Sequence, residues 1–236
     1  MNNNYEFNAD NTDPDAVVCG STELFRLTPS GEISDFGGID GSATPGVGAG
    51  GLYGAGFGIT LDPHGAVWVS NFGFQGTNCP NEATQLFVSV SQFSAHGIAQ
   101  SPDGDPPNNV PGGYRGHDDI IQAPQGIKSD QRGNIWVANC ATDSVVALNS
   151  DGAVLDTVAY AEGINHPMGI ASDSFGNLWV ANAGVMNPPC PAVLAEEDIG
   201  EDGGLNEKAS VTLIDQSNGA PVATTYGISR SRSKRR

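Results

Sequence analysis

Residues 126–139 read GIKSDQRGNIWVAN, and this stretch decides the fold because the chain repeats it in a fixed register. Residues 58–71 read GITLDPHGAVWVSN, and residues 169–182 read GIASDSFGNLWVAN. In all three copies the second glycine follows the first by seven residues, and the tryptophan follows the first glycine by ten. Self-similarity at such a constant spacing indicates a repeat architecture.

Each copy predicts a β-hairpin. The Asp-x-x-Gly segment is typical of a tight turn, because Asp bonds the turn backbone and Gly accepts a positive φ. The strand after the turn is rich in β-formers and apolar on both faces, with Ile135 and Val137 on one face and Trp136 and Ala138 on the other. Strands buried on both faces occur where sheets stack, as the blades of a β-propeller do.

The spacing of the copies agrees with a propeller. Trp136 and Trp179 are 43 residues apart, close to the ~40–45 residues of a four-stranded blade. We therefore predict an all-β chain, a β-propeller of four-stranded antiparallel blades with about three and a half blades in a partial or open ring. The alternatives for the ring are a fragment of a larger propeller and two chains that close it together.

The predicted segments follow the repeat. They are an N-terminal loop (1–20), a propeller region (21–228) with a half blade (21–36) and three further blades (57–93, 124–160 and 167–225), and a basic tail (229–236). Tyr226 is predicted to begin the first strand of another blade.

Composition limits the classes of function. The chain has 236 residues with 32 Gly and 15 Pro, which suits a turn-dense β domain. Its net charge is −17, and five of the ten basic residues lie in the tail. Such an acidic body argues against nucleic-acid binding by the propeller. The sequence contains no run of 18 apolar residues, so we expect no membrane span. Its first residues do not resemble a signal peptide.

The long connections predict where function lies. With the strands of a blade named a to d from the axis outward, the a–b and c–d turns form one rim, the turn rim. The b–c and d–a connections form the opposite rim, the connection rim. We assign insertions 72–84 and 183–209 to b–c connections and insertion 97–121 to a d–a connection, so that all three lie on the connection rim. Long loops often carry function, although surface insertions are also tolerated without one.

The four cysteines follow the same geometry. Cys19, Cys79, Cys140 and Cys190 all map to the connection rim. The sequence contains no Cys-x-x-Cys, so a zinc ribbon or thioredoxin-type site is not indicated. We predict disulfides, and of the three possible pairings the neighbouring blades favour Cys19–Cys79 and Cys140–Cys190. In a cytosolic protein the same residues would be reduced thiols.

Several polar residues are candidates for a ligand or metal site. The candidate binding residues are Tyr114, Arg115, His117, Asp118, Asn139, His166 and Asn182. His117, Asp118 and His166 are also the candidates for acid–base or metal chemistry, because all three are placed near the entrance to a strand a. Asn139 and Asn182 end strand b in their copies, and their repetition favours a structural role.

Two acidic clusters could bind Ca²⁺, with Asp103, Asp105, Glu197 and Asp198 as the candidate ligands. Neither cluster matches the spacing of a twelve-residue calcium loop, so a solvated acidic loop is the alternative. We expect no cofactor, with calcium or magnesium as the alternatives.

The pattern Pro-x-Gly-Ile-x-x-Asp-x-x-Gly-Asn-x-Trp-Val-Ala-Asn, present at 124–139 and at 167–182, resembles the NHL-repeat β-propellers and the related streptogramin (virginiamycin B) lyase-like repeats. The resemblance implies a six-bladed ring, an extracellular or periplasmic location, and often a binding scaffold. The lyase branch implies a Mg²⁺-dependent opening of a cyclic ester by elimination.

Three interpretations of function follow. The first is a binding or interaction scaffold whose loop-elaborated rim holds a protein or glycan ligand. The second is a magnesium-dependent lyase or lactone hydrolase that uses His117, Asp118 and His166. The third is a structural or self-assembling protein, since an open ring invites a homo-oligomer that closes it.

Overall fold

Strands and tight turns make up the architecture. The computed structural model describes residues 23–32, 39–40, 49–52, 57–72, 88–104, 112–158, 162–183, 209–216 and 222–227. Within these ranges the regular structure consists of thirteen β-strands and three short 3-10 turns, and they contain no α-helix. No helix in the described part of the chain is long and apolar enough to cross a bilayer.

The first two blades are incomplete as sheets. Blade 1 contains β1 (Glu23–Leu24) and β2 (Ile39–Asp40), and blade 2 contains β3 (Ile59–Leu61), β4 (Val67–Asn71) and β5 (Ser89–Phe93). The strands of each sheet pair antiparallel in sequence order. Blade 2 therefore has strands a, b and c in place, and blade 1 has the two strands that correspond to c and d.

The next two blades are complete four-stranded antiparallel sheets. Blade 3 contains β6 (Pro124–Ser129), β7 (Ile135–Asn139), β8 (Ser144–Leu148) and β9 (Val154–Val158). Blade 4 contains β10 (Pro167–Ser172), β11 (Leu178–Asn182), β12 (Ser210–Asp215) and β13 (Val222–Gly227). Each strand pairs only with its sequence neighbours, so both sheets are simple meanders.

The Asp-x-x-Gly turn is held by one carboxylate in each copy. In blade 3 the Oδ1 of Asp130 accepts the backbone N–H groups of Arg132 and Asn134, both at 2.9 Å. Its Oδ2 accepts the indole N–H of Trp136 at 3.0 Å. Asp62 and Asp173 bind their turns and their tryptophans in the same way. The motif therefore encodes the a–b turn and the position of the tryptophan together.

Apolar side chains from consecutive sheets form the core between blades. One cluster joins Trp68 and Val90 of blade 2 to Ile135 and Val146 of blade 3. A second cluster joins blade 3 to blade 4 around Trp136, whose side chain is 3% exposed. The sheets are thus stacked face to face, and the predicted all-β propeller with a partial ring is confirmed.

The first strands of consecutive blades lie against one another, β3 against β6 and β6 against β10. A Cβ atom on Gly126 would lie 2.7 Å from the carbonyl oxygen of Met168, and one on Gly58 would lie 2.6 Å from that of Gln125. The first glycine of the motif is therefore required in blades 2 and 3, because the next inner strand approaches too closely for a side chain.

The predicted place of one insertion is wrong. We assigned 97–121 to a d–a connection, but residues 98–101 and Tyr114 belong to the outer edge of blade 2, and only the residues after Arg115 form the d–a connection that leads to β6. The N–H of Gln100 donates to the carbonyl of Gln92 at 2.8 Å, and Val90 and Tyr114 exchange two backbone hydrogen bonds. The insertion thus interrupts strand d and leaves the blade at its outer edge. Sequence periodicity could not show this, because no local signal marks a strand that is split by an insertion.

The predicted start of a fifth blade at Tyr226 is also wrong. Strand β13 continues to Gly227 and pairs with β12 along its whole length, with Tyr226 opposite Val211. The ring of Tyr226 stacks on Trp179, with centroids 6.3 Å apart and an interplanar angle of 28°. Tyr226 therefore belongs to blade 4.

Candidate functional site

The repeated asparagine at the end of strand b fastens the connection rim. Asn182 is 3% exposed, and its Nδ2 donates to the Thr212 hydroxyl at 2.8 Å and to the Gly163 carbonyl at 3.2 Å. Asn139 is fully buried, and its Nδ2 donates to the carbonyl of Ile120 at 3.1 Å. These bonds join the end of strand b to the preceding d–a connection, so both residues have the structural role that their repetition predicts.

Backbone geometry differs between the two rims. In the described residues every non-glycine with positive φ lies on the connection rim: Asp118, Asp119, Ala123, Asp143 and His166, with φ between 45° and 52°. On the turn rim the corresponding positions are all glycine: Gly31, Gly65, Gly97, Gly133, Gly152 and Gly176. Left-handed backbone costs a residue with a side chain about 1–2 kcal/mol. The connection rim therefore carries the strained backbone of the propeller.

His166 lies in a small polar cluster at the entrance to strand β10. Its Nδ1 is 2.7 Å from the Oδ1 of Asn165 and 3.4 Å from the Oδ1 of Asp143. Its backbone N–H donates to the same Asp143 oxygen at 2.6 Å. Its side chain is 16% exposed, so the imidazole is mostly enclosed by these neighbours.

His117 and Asp118 form a separate, open pair on the same rim. They lie in the 3-10 turn His117–Asp119, with His117 Nδ1 3.6 Å from Asp118 Oδ2 and side chains 67% and 100% exposed. Arg115 secures this turn through a 2.8 Å ion pair with Asp119. His117 pairs with Asp118, whereas His166 pairs with Asn165 and Asp143, so the two histidines lie in separate clusters. The described part of the chain contains no group of three His, Cys, Asp or Glu side chains that could hold a metal ion.

Tyr114 is placed at the outer edge of blade 2. Its ring lies 5.7 Å from that of Trp68, and its hydroxyl donates to the Oε1 of Gln92 at 2.9 Å. Burial, and then the negative charge of Asp151, raise the pKa of its phenol. A Cβ on Gly152 would meet the Tyr114 ring. The contacts of Tyr114 are thus those of a packing residue that closes the split edge of the blade.

The residues at the inner end of the connection rim were not among the predicted site residues. Phe57, Gln125 and Met168 each precede the first glycine of the motif. Phe57 is 53% exposed and packs edge to face on Phe72, with centroids 5.4 Å apart. Among the described residues, neither amide atom of the buried Gln125 side chain has a hydrogen-bond partner. We call Phe57, Phe72, Gln125 and Met168 the axial mouth.

A signal for the axial mouth exists in the sequence. The motif keeps Gly-Ile in every copy, but the residue before the glycine changes from Phe to Gln to Met. A variable position beside constant ones indicates a side chain that the fold does not specify. Its place at the inner end of strand a could be found only once the propeller geometry was known.

The remaining candidates are only partly described. Cys140 is disulfide-bonded, and its sulfur lies 3.8 Å from that of Met168. Cys19, Cys79 and Cys190 lie outside the described residues, and the predicted pairing stays a prediction. Asp103 accepts the backbone N–H of Gly50 at 2.8 Å. Asp105, Glu197 and Asp198 also lie outside the described residues.

Comparisons with known proteins concern the fold. No protein-family model and no curated protein sequence matches the chain. A protein of unknown function from Bacteroides caccae is similar with a TM-score of 0.46 and 13% identity over 89% of this chain and 55% of its own. A streptogramin B lyase is similar with a TM-score of 0.44 and 15% identity, over 89% of this chain and 63% of the lyase. A virginiamycin B lyase from Staphylococcus aureus is similar with a TM-score of 0.43 and 12% identity, over 88% of this chain and 64% of the lyase.

The chain therefore spans less than two thirds of the length of each of these proteins. Two of the three are lyases of the kind that the repeat motif resembles. The lyase and lactone-hydrolase alternative stays a prediction.

Proposed function

We propose that the protein is a binding scaffold, in which the axial mouth and the exposed residues of the connection rim hold a protein or glycan ligand. The observation that carries this proposal is the amide of Gln125. A buried amide that lacks hydrogen bonds costs about 1–3 kcal/mol. A fold that specified this position for packing alone would have an apolar residue there, as blade 4 has with Met168.

The surroundings of Gln125 support the same role. Phe57 offers an exposed aromatic ring, and His117 and Asp118 offer polar groups on the same rim. Aromatic faces combined with a few hydrogen-bonding groups suit sugar rings and peptide side chains alike. The strained backbone of this rim supports the proposal too, because such strain concentrates at functional positions.

The disulfide at Cys140 bears on location. Disulfides persist in oxidising compartments and are rare in the cytosol. We therefore assign the protein to an extracellular or periplasmic location, where glycans and secreted proteins are the available ligands.

The test uses the substitution Gln125→Met, which introduces the residue found at the same position of blade 4. It should raise the free energy of unfolding by about 1–2 kcal/mol, because an unpartnered amide is removed. The same variant should bind at least about tenfold more weakly to a ligand selected from glycan and peptide arrays. Urea denaturation and isothermal titration calorimetry measure the two effects.

A matched control is Phe175→Ala on the turn rim, where the ring is 87% exposed. This variant should leave the affinity for the ligand unchanged, whereas Phe57→Ala should lower it. A loss of stability in Gln125→Met would show that the amide serves the fold. Arrays without any binder, or a binder that responds only to Phe175→Ala, would also refute the proposal.

A further inference from the structure

A groove lies beside blade 2 where blade 1 contributes only β1 and β2. It encloses about 720 Å³, with residues 24–27 forming one wall and strand β3 with Val67 forming the floor. Gly65 and Ala95, which belong to the a–b and c–d turns of blade 2, also line it. The groove thus opens toward the turn rim and is a different surface from the axial mouth.

The floor of the groove exposes more apolar surface than the corresponding strands of the other blades. Ile59 is 49% exposed, whereas the corresponding Ile127 of blade 3 is 5% exposed beneath its neighbouring blade. Leu61 is 63% exposed and stands where blades 3 and 4 have Ser129 and Ser172. A large apolar side chain in place of serine, on an exposed surface, indicates a surface that is covered in a complex.

One wall of the groove is a strand edge. Strand β1 corresponds to β8 of blade 3, which pairs with β9 on its outer side and with β7 on its inner side. Strand β1 pairs with β2 on its outer side, and the described residues place no strand on its inner side. Its backbone N–H and C=O groups can therefore accept an added strand, as in recognition by β-augmentation.

The charge of the groove is opposite to that of the molecule. The chain has 27 acidic and 10 basic residues. The residues that line the groove include no carboxylate, and Lys128 among them supplies a cation. A ligand of the groove should therefore carry negative charge, which the basic tail of this chain does not.

We propose that the groove docks an extended segment of a partner protein as an added β-strand. The segment has branched apolar side chains on the face toward Ile59 and Leu61, and a carboxylate within reach of Lys128. Main-chain hydrogen bonds to β1 supply affinity, and the apolar floor and Lys128 supply selectivity. This inference does not depend on the function proposed for the axial mouth.

The experiment uses the full chain and a fluorescent peptide in which valine alternates with threonine and glutamate. Anisotropy should show binding that weakens with salt, since charges take part. Leu61→Ser and Lys128→Ala introduce the residues that other blades carry at these positions, so both should fold. Leu61→Ser should weaken binding about tenfold, the effect expected of a central apolar contact. Lys128→Ala should reduce the salt dependence, and Phe175→Ala should change nothing.

Two control peptides sharpen the result. A peptide with lysine in place of glutamate should lose the part of the affinity that comes from charge attraction. A peptide with proline at alternate positions should not bind, because proline cannot donate a hydrogen bond to β1. Equal binding of the proline peptide, unchanged affinity in Leu61→Ser, or no binding of the first peptide would overturn the proposal. Light scattering that finds a dimer dissociated by Leu61→Ser would overturn it as well, since a second copy would then be the occupant.

Discussion

Blades 3 and 4 share the motif almost residue for residue, yet they differ in what covers them. In β7 all five residues are buried, whereas in β11 exposed and buried residues alternate. Trp136 is 3% exposed and Trp179 is 37% exposed, although each donates its indole N–H to the aspartate of its own turn. The motif therefore fixes the hairpin, and the neighbouring sheet determines how much the tryptophan stabilises it. This is the nearest-neighbour logic of repeat proteins.

Removing the two tryptophans gives the largest expected effect. Trp136→Ala should lower the free energy of unfolding by about 3–5 kcal/mol, because it leaves a cavity between blades 3 and 4. Trp179→Ala should cost about 1–2 kcal/mol, mostly from the lost stacking on Tyr226 and the lost indole hydrogen bond. Urea denaturation of both variants measures the difference.

Equal losses in the two variants would contradict this comparison. They would mean that Trp179 is covered in solution by a further sheet, which the self-assembly interpretation requires. Sedimentation of the unmodified protein would then show an oligomer.

The first glycine of the motif gives the next largest contrast. A Cβ at Gly126 would lie 2.7 Å from a backbone oxygen of β10, whereas a Cβ at Gly169 would have only Ala181 Cβ nearby, at 3.9 Å. Gly126→Ala should therefore destabilise the protein by about 1–3 kcal/mol through overpacking. Gly169→Ala should be neutral or stabilise it by about 0.4–1 kcal/mol, since alanine restricts the unfolded chain.

Thermal unfolding of the matched pair gives the answer. A similar loss of stability in both variants would show that the inner strand of blade 4 is as crowded as that of blade 3. The two blades would then differ only in how their outer strands are covered.

The parts of the fold that were predictable are those determined locally. Asp130, Gly133 and Trp136 lie within seven residues, and their hydrogen bonds form inside one hairpin, so the sequence pattern was sufficient. The outer edge of blade 2 was not predictable, because Val90 pairs with Tyr114 across an insertion. Pairing at that distance depends on the sheet that is already formed.

The residues of the candidate site likewise divide into those whose role was predictable from the sequence and those whose role was not. The structural role of Asn139 and Asn182 followed from their repetition. The proposed role of Gln125 did not, because an unpartnered amide is visible only when all its neighbours are in place. Grouping His117 with His166 relied on their shared rim, and a shared rim does not bring two side chains into contact.

The smallest expected effect concerns acid, and it tests whether the open blade keeps its turn intact. Burial alone would raise the pKa of Asp173, but hydrogen bonds from Trp179, Asn177 and Phe175 together hold it below the usual value of 3.8. A folded-state pKa below the unfolded one means that the carboxylate stabilises the protein at neutral pH. This contribution is lost as the pH falls from about 5 through the lower, folded-state pKa. Because Asp173 is at the surface, solvent screening makes the change small.

Asp173→Asn removes the titrating group and keeps an oxygen that can accept hydrogen bonds. Unfolding midpoints measured at neutral and acidic pH should therefore fall less steeply in this variant than in the unmodified protein. Parallel pH profiles would mean that the turn of blade 4 is open in solution. In that case the lower burial of Trp179 would reflect a loosened hairpin, and the absence of a neighbouring sheet would not be needed to explain it.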